Sequence, residues 1–111
     1  MLVDGAVSTM SNEVRAVCKR HWGRGPEWAG VIHAGDDTVV VLLNGILTHA
    51  ERSLLAVDHA HLVLSTRAAL HEVLEPEIRA ILERNMGRQT DAVMSGVDVD
   101  RDMASIVVTL R

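Results

Sequence analysis

The stretch "WAGVIHAGDDTVVVLLN", residues 28–44, decides the fold of this chain. It predicts two strands, Trp28–His33 and Thr38–Asn44, because both segments are rich in residues that favour strands. The "AGDD" between them, Ala34–Asp37, supplies turn-forming glycine and aspartate, so the two strands are expected to form a hairpin. The second strand, "TVVVLLN", is apolar on both faces, which favours an interior strand that is covered on both sides.

A helix precedes the hairpin. Apolar residues at helical spacing predict this helix over Ser8–Trp22, with one apolar face that ends at His21. Gly23 follows at the position where a left-handed C-terminal cap is expected. The remaining corner, Arg24 to Pro26, then leads the chain into the first strand.

The corner "GRGP", Gly23–Pro26, has two interpretations that the sequence leaves open. It lacks the length and the Lys-Ser/Thr ending of a phosphate-binding loop. It also follows a helix C-terminus, where the helix dipole disfavours anions. In the first interpretation the corner has a structural role only. In the second it is a weak ligand site that uses Arg24 and His33.

Two helices are predicted after the hairpin. The pattern Thr48-x-x-Glu51 forms a capping box, and Asp58 is expected to cap a second helical segment. Helical periodicity then continues over His61–Met86, which as a straight helix would span roughly 39 Å. A compact chain of this size has a radius of gyration of only about 13 Å. Because Pro76 also removes a helical hydrogen bond, this long helix is expected to be kinked or broken near Pro76. Otherwise it would have to overhang the rest of the molecule or run along a second subunit.

Two further strands, Asp91–Val99 and Met103–Leu110, finish the chain around a turn at Asp100–Asp102. The order is therefore α-β-β-α-α-β-β, with two of the helices in a central block. This order predicts an α+β fold, in which a mostly antiparallel four-stranded sheet packs with helices as a two-layer sandwich. Residues 1–111 are expected to form a single domain.

Composition and charge exclude several classes of protein. The formal net charge of −4 argues against a nucleic-acid partner, which would require clustered basic residues. Cys18 is the only cysteine, so no internal disulfide and no CxxC motif exists. No segment approaches the roughly 18–20 apolar residues of a membrane span, and the N-terminus lacks signal-peptide features. These patterns predict a soluble cytoplasmic protein that does not insert into a membrane.

Two patterns suggest metal binding, but the first has too few ligands and the second lacks two residues that a calcium loop requires. His71 and Glu75 lie four positions apart and could pair or share a metal, yet a tight zinc site needs three or four ligands. They are interpreted as a solvated pair. The "DVDRD" at 98–102 resembles the start of a calcium loop, but Met103 and Thr109 occupy its glycine and glutamate positions. The sequence therefore predicts a solvated hairpin turn there, no metal site and no cofactor.

His33 lies beside the acidic turn that contains Asp36 and Asp37. A histidine titrates near neutral pH, so a hydrolase or lyase with His33 as general base is one hypothesis. No motif for a nucleophile paired with a base accompanies it. No catalytic residue is predicted, and the sequence favours a protein that is not an enzyme.

Five segments, taken in order, resemble the MpsC-like family of bacterial proteins across almost the whole chain. They are "SNEV" (11–14), "GRGP" (23–26), "VIHAGDDTVVVLLNGILTHAE" (31–51), "LEPEI" (74–78) and "MGR" (86–88). The resemblance implies a cytosolic accessory component of membrane-potential-generating or inorganic-carbon-uptake systems, in which separate membrane subunits carry the cation flux. The resemblance to this family identifies no catalytic residues in the chain. His49 departs from the family by replacing a usual proline, and residues 57–73 carry fewer charges than the family pattern.

Two functional hypotheses follow. The first is a non-enzymatic, dimeric accessory or regulatory protein with a membrane-protein complex as a possible partner. It is favoured by the missing catalytic pattern, the long helix and the apolar character of residues 55–70. The alternative is a small-molecule or anion-binding domain that uses the Gly23–Pro26 corner and His33.

Overall fold

The computed structural model describes residues 4–111, with side chains from Val7 onward. It confirms the predicted order of elements and the α+β class. The first three residues of the predicted domain lie outside the described part of the chain. The elements are α1 Asp4–Trp22, β1 Trp28–His33, β2 Thr38–Asn44, α2 His49–Ala56, α3 Ala60–Met86, β3 Thr90–Asp98 and β4 Met103–Leu110.

The four strands form one antiparallel sheet in the order β1-β2-β4-β3. The hairpin predicted from residues 28–44 is present, with Trp28 opposite Asn44 and His33 opposite Val39. α1 packs against β1 and α3 against β3, while α2 packs on α3. The helices thus form one layer and the sheet the other.

The interior strand β2 is covered on one face only. Val39, Val41 and Leu43 are completely buried against the helices, whereas Val40 and Leu42 on the other face remain partly exposed. The prediction that β2 is covered on both sides is therefore wrong. Its apolar character on both faces reflects one packed face and one apolar face that no helix covers.

The long helix α3 continues through Pro76 without a break. Its 27 residues require about 40 Å of length, and the molecule measures 44 × 23 × 21 Å. The predicted alternative of a break and restart is wrong, because the molecule is elongated enough to contain the helix. The radius of gyration, 14.0 Å, is correspondingly larger than expected for a compact chain.

The predicted helix ends are confirmed at two of three positions. Thr48 and Glu51 make both hydrogen bonds of the capping box at the start of α2. Gly23 adopts a left-handed φ of 82° after α1, and its N–H donates to a carbonyl one turn back. The N-cap of α3 is His59 rather than the predicted Asp58. Asp58 itself has a φ of 64° and forms part of the turn between α2 and α3.

Candidate functional site

The loop between β2 and α2, residues 45–48, is held in place by the turn between β3 and β4. Asp102 Oδ1 accepts hydrogen bonds from the amides of Ile46 and Leu47, both at 2.8 Å. Its other oxygen, Oδ2, lies 2.8 Å from Arg52 Nη2. The sequence interpretation of 98–102 as a solvated turn missed this role because the two amides lie 56 and 55 positions away.

Arg24 supports the same loop from the opposite side. Its Nη1 donates to the carbonyl of Leu47 at 3.2 Å, and its Nη2 donates to that of Gly45 at 3.3 Å. Glu27 lies 3.7 Å from Nη2. These contacts give Arg24 a structural role, because its guanidinium satisfies loop carbonyls at the corner after α1.

The second predicted ligand residue, His33, lies at the far end of β1 from Arg24. A six-residue strand separates them by roughly 20 Å, so the structure does not bring them together. His33 Nε2 is 3.3 Å from the backbone oxygen of Asp36, while the carboxylate of Asp37 binds Arg88 at 2.7 Å. Neither aspartate presents its carboxylate to the imidazole in these contacts. Ligand binding at either residue stays a prediction of the sequence.

A buried arginine that the sequence did not single out lies beneath the same loop. Arg67 is 1% exposed, and its Nε donates to Glu51 Oε2 at 2.7 Å. Its Nη2 donates to the carbonyl of Ile46 at 2.6 Å, and its guanidinium lies 4.3 Å from the ring centroid of Trp22. Glu51 therefore serves both the capping box and the ion pair. Such pairing is what permits a charged side chain to be buried.

His71 completes this cluster. Its ring stacks on Trp22 with centroids 5.8 Å apart and 20° between planes. The predicted solvated pair with Glu75 is wrong, since His71 is 6% exposed and Glu75 lies 3.7 Å from Arg79. The helix turns His71 inward, because it falls one turn after Arg67 on the buried face. Among the described residues, buried side-chain nitrogen and oxygen atoms without a hydrogen-bond partner are confined to Trp22 Nε1, Arg67 Nη1 and His71 Nε2.

Burial sets the protonation of this cluster. Burial and then the nearby Arg67 charge lower the pKa of His71, which is therefore neutral at neutral pH. Burial acts to raise the pKa of Glu51, but hydrogen bonds from Arg67 and from Thr48 outweigh it and the net pKa is lowered. Burial raises the pKa of Cys18 to about 12, so this side chain stays a neutral thiol. The cluster thus pairs one ionised carboxylate with one guanidinium beside a neutral imidazole.

We expect His71 to make the protein less stable as the pH falls. Its folded pKa lies below the ordinary 6.5, so the unfolded chain takes up the proton first. The contribution of His71 to the free energy of unfolding is fully present above pH 6.5. As the pH falls from 6.5 towards the folded pKa, this contribution is lost at up to about 1.4 kcal/mol per pH unit. His71→Phe, which keeps a ring on Trp22, should reduce this slope in urea unfolding between about pH 7 and pH 5. His61→Phe, on the exposed side of the same helix, serves as control, and an equal slope in both variants would contradict the assignment.

One cavity of about 310 Å³ lies between α3 and β3, and His71 forms part of its wall together with Glu72, Glu75 and Ser95. Within residues 4–111, no group of three or more His, Cys, Asp or Glu side chains is close enough to hold a metal ion. In the same part of the chain, no helix has both the length and the apolar character that crossing a membrane requires.

Six of the seven large apolar side chains that remain exposed in the described structure fall on two surfaces. We call the first the open sheet face, which is the side of the sheet away from the helices. We call the second the helix stripe, which follows the α2–α3 turn and the outside of α3. Exposed members of the open sheet face are Trp28, Ile32 and Met94, with Val40, Leu42 and Val107 partly exposed between them. The helix stripe consists of Val57, Leu62 and Val73, whereas Leu64, two positions after Leu62, lies on the other side of α3.

Fold and contacts together define a small α+β protein in which Arg24, Asp102 and Arg67 hold one loop and most of the exposed large apolar side chains lie on two surfaces. Exposed apolar patches of this kind are typical of proteins that act through contacts with other proteins. Residues 6–111 match the family model MpsC, described as the Na+-translocating membrane potential-generating system. The chain belongs to this family, which confirms the resemblance seen in the sequence. Comparison with curated proteins and with solved structures found no match.

Proposed function

We propose that this chain is a non-enzymatic accessory or regulatory protein of a Na+-translocating membrane-potential-generating system. It acts in the cytoplasm as a single domain and as a dimer, and a membrane-protein complex of that system is its partner. The observation that carries this proposal is the gathering of exposed apolar side chains on the open sheet face and the helix stripe. Membership of the MpsC family supports the choice of this system.

The use of the charged side chains supports a binding role over a catalytic one. Arg24 and Asp102 hold the backbone of residues 45–48, and Arg67 pairs with Glu51 beneath it. A general base needs a titratable group within reach of a substrate proton. In this protein Arg24, Asp102 and Arg67 instead make hydrogen bonds to the backbone of the chain's own loop.

The proposal is tested by membrane potential in cells that lack this chain. We expect the deletion to lower the Na+-dependent part of the potential, measured with a potential-sensitive dye in intact cells, and re-expression to restore it. The Na+-independent part serves as the internal control and should not change. A Na+-dependent potential that is unaffected by the deletion would contradict an accessory role in this system.

A further inference from the structure

We propose that two copies of this chain pack open sheet face against open sheet face. The inference rests on the dimeric state in the proposed function and adds the surface and the partner. A twofold axis would bring the same surface of each copy together. The two sheets would then lie about 10 Å apart, as stacked sheets do.

The centre of the open sheet face is an apolar row that crosses all four strands. The register places Ile32 opposite Val40, Val40 opposite Val107, and Val107 opposite Met94. Side chains of paired residues point to the same face of a sheet, so these four form one continuous row. The neighbouring row is also uncharged and consists of Gly30, Leu42, Ser105 and Gly96.

The absence of charge suits this surface to a second copy. The chain carries a formal net charge of −4, so identical copies repel one another, and the repulsion is smallest where the surfaces that meet carry no charge. The two central rows contain no charged side chain. In the next row Asp98 lies opposite Met103, and its carboxylate binds Arg101 at 3.1 Å. A strongly charged partner would find no complementary group at the centre of this face.

Area favours the sheet over the helix stripe as the surface between copies. Four strands about 4.8 Å apart and about seven residues long present a flat area of roughly 400 Å². Two copies together therefore cover roughly 800 Å², and protruding side chains bring the accessible area close to the ~1,000–1,200 Å² of the smallest specific interfaces. A helix of about 14 residues, some 21 Å long and about 10 Å wide, offers only about half of that area. The sheet alone approaches what a stable dimer needs.

Trp28 provides a spectroscopic reporter on this face. Its indole is 49% exposed and lies over Gly30, where an added Cβ would come within 2.3 Å of the ring. Trp22, the other tryptophan, is 8% exposed and belongs to the buried Arg67 cluster. Packing of two open sheet faces would cover Trp28 and leave the surroundings of Trp22 unchanged.

The first test compares two double variants by light scattering. Ile32→Lys/Met94→Lys introduces two charges into the open sheet face at residues that are 46% and 55% exposed, so the folded monomer tolerates them. Leu62→Lys/Val73→Lys makes the same change in the helix stripe at residues that are 43% and 51% exposed. We expect the wild type and the helix-stripe variant to have twice the monomer mass of 12.1 kDa. The sheet variant should be monomeric, with dimerisation weakened at least about 100-fold by the buried charges.

Three results would overturn the inference. The first is a monomeric wild type across a dilution series from roughly 1 µM to 100 µM. The second is a sheet variant that keeps the dimer mass, which would leave the dimer of the proposed function intact but move it to another surface. The third is a helix-stripe variant that is monomeric while retaining the wild-type circular dichroism. Because no membrane system takes part, the outcome is independent of the Na+ experiment.

The second test uses the unaltered sheet face. In Trp22→Phe, Trp28 is the single tryptophan. We expect its quenching by acrylamide to fall about twofold as the protein associates, because the centre of an interface excludes solvent. Quenching that stays constant while the mass doubles would place the dimer contact elsewhere. This measurement decides the question even if the charged sheet variant does not fold.

Discussion

Replacing Arg67 by methionine is expected to lower the free energy of unfolding by about 3–5 kcal/mol, the usual cost of breaking a buried ion pair. The substitution removes the guanidinium that neutralises Glu51 and that donates to the carbonyl of Ile46. Methionine keeps much of the volume, so the effect reports the lost charge and hydrogen bonds rather than a large cavity. Thermal unfolding should show a midpoint lower by roughly 10–20 °C.

Arg52→Met is the matched control for this prediction. Arg52 also binds a carboxylate near α2, that of Asp102 at 2.8 Å, but its side chain is 52% exposed. An exposed ion pair contributes less than about 1 kcal/mol. The double variant Arg67→Met/Glu51→Gln should recover part of the loss, because a glutamine can keep the capping box without a buried charge. Equal costs for Arg67→Met and Arg52→Met would show that burial does not decide the strength of this pair.

Replacing Asp102 by alanine is expected to cost about 2–4 kcal/mol of unfolding free energy, since each buried amide left without an acceptor costs about 1–3 kcal/mol. The amides of Ile46 and Leu47 lose their common acceptor. The backbone at Asp102 also has a φ of 53°, a conformation that aspartate tolerates better than alanine. Denaturant unfolding monitored by circular dichroism measures the loss.

Asp102→Asn removes only the charge of this side chain, which pairs with Arg52. Asparagine keeps a carbonyl oxygen for both amides and tolerates the left-handed conformation, so it should cost less than about 1 kcal/mol. Asp100→Ala, in the exposed part of the same turn, should stay within about 0.5 kcal/mol of the wild type. If Asp102→Ala and Asp100→Ala had the same stability, the turn would not hold the loop at residues 45–48.

Local patterns were sufficient for most of the secondary structure. The capping box of Thr48 and Glu51 joins residues three positions apart, and the hairpin of residues 28–44 closes through a short turn. Such features depend on neighbours in the sequence. For the same reason the positions of α1, β1, β2 and β4 were predictable to within a few residues.

Long-range contacts explain why the charged residues of the site were not predicted. Arg67 shows no sequence pattern that marks it as buried, because Glu51 and Ile46 approach it only when α3 packs under the loop. The four-residue spacing to Glu75 likewise led to the interpretation of His71 as part of a solvated pair, yet the packing of α1 supplies Trp22 as its neighbour. A helical pattern specifies which residues share a face, but not which of two weakly amphipathic faces will be buried.

The sequence by itself determined the order α-β-β-α-α-β-β, the hairpin, the caps at Gly23 and Thr48 and the family, because each depends on local pattern or on an ordered set of short segments. Only the tertiary structure decided that Arg24 and Asp102 hold one loop and that Arg67 is buried. It also decided that one face of β2 stays uncovered. The physical reason is that burial and pairing are properties of surfaces brought together from distant parts of the chain, and no local spacing encodes which surfaces meet.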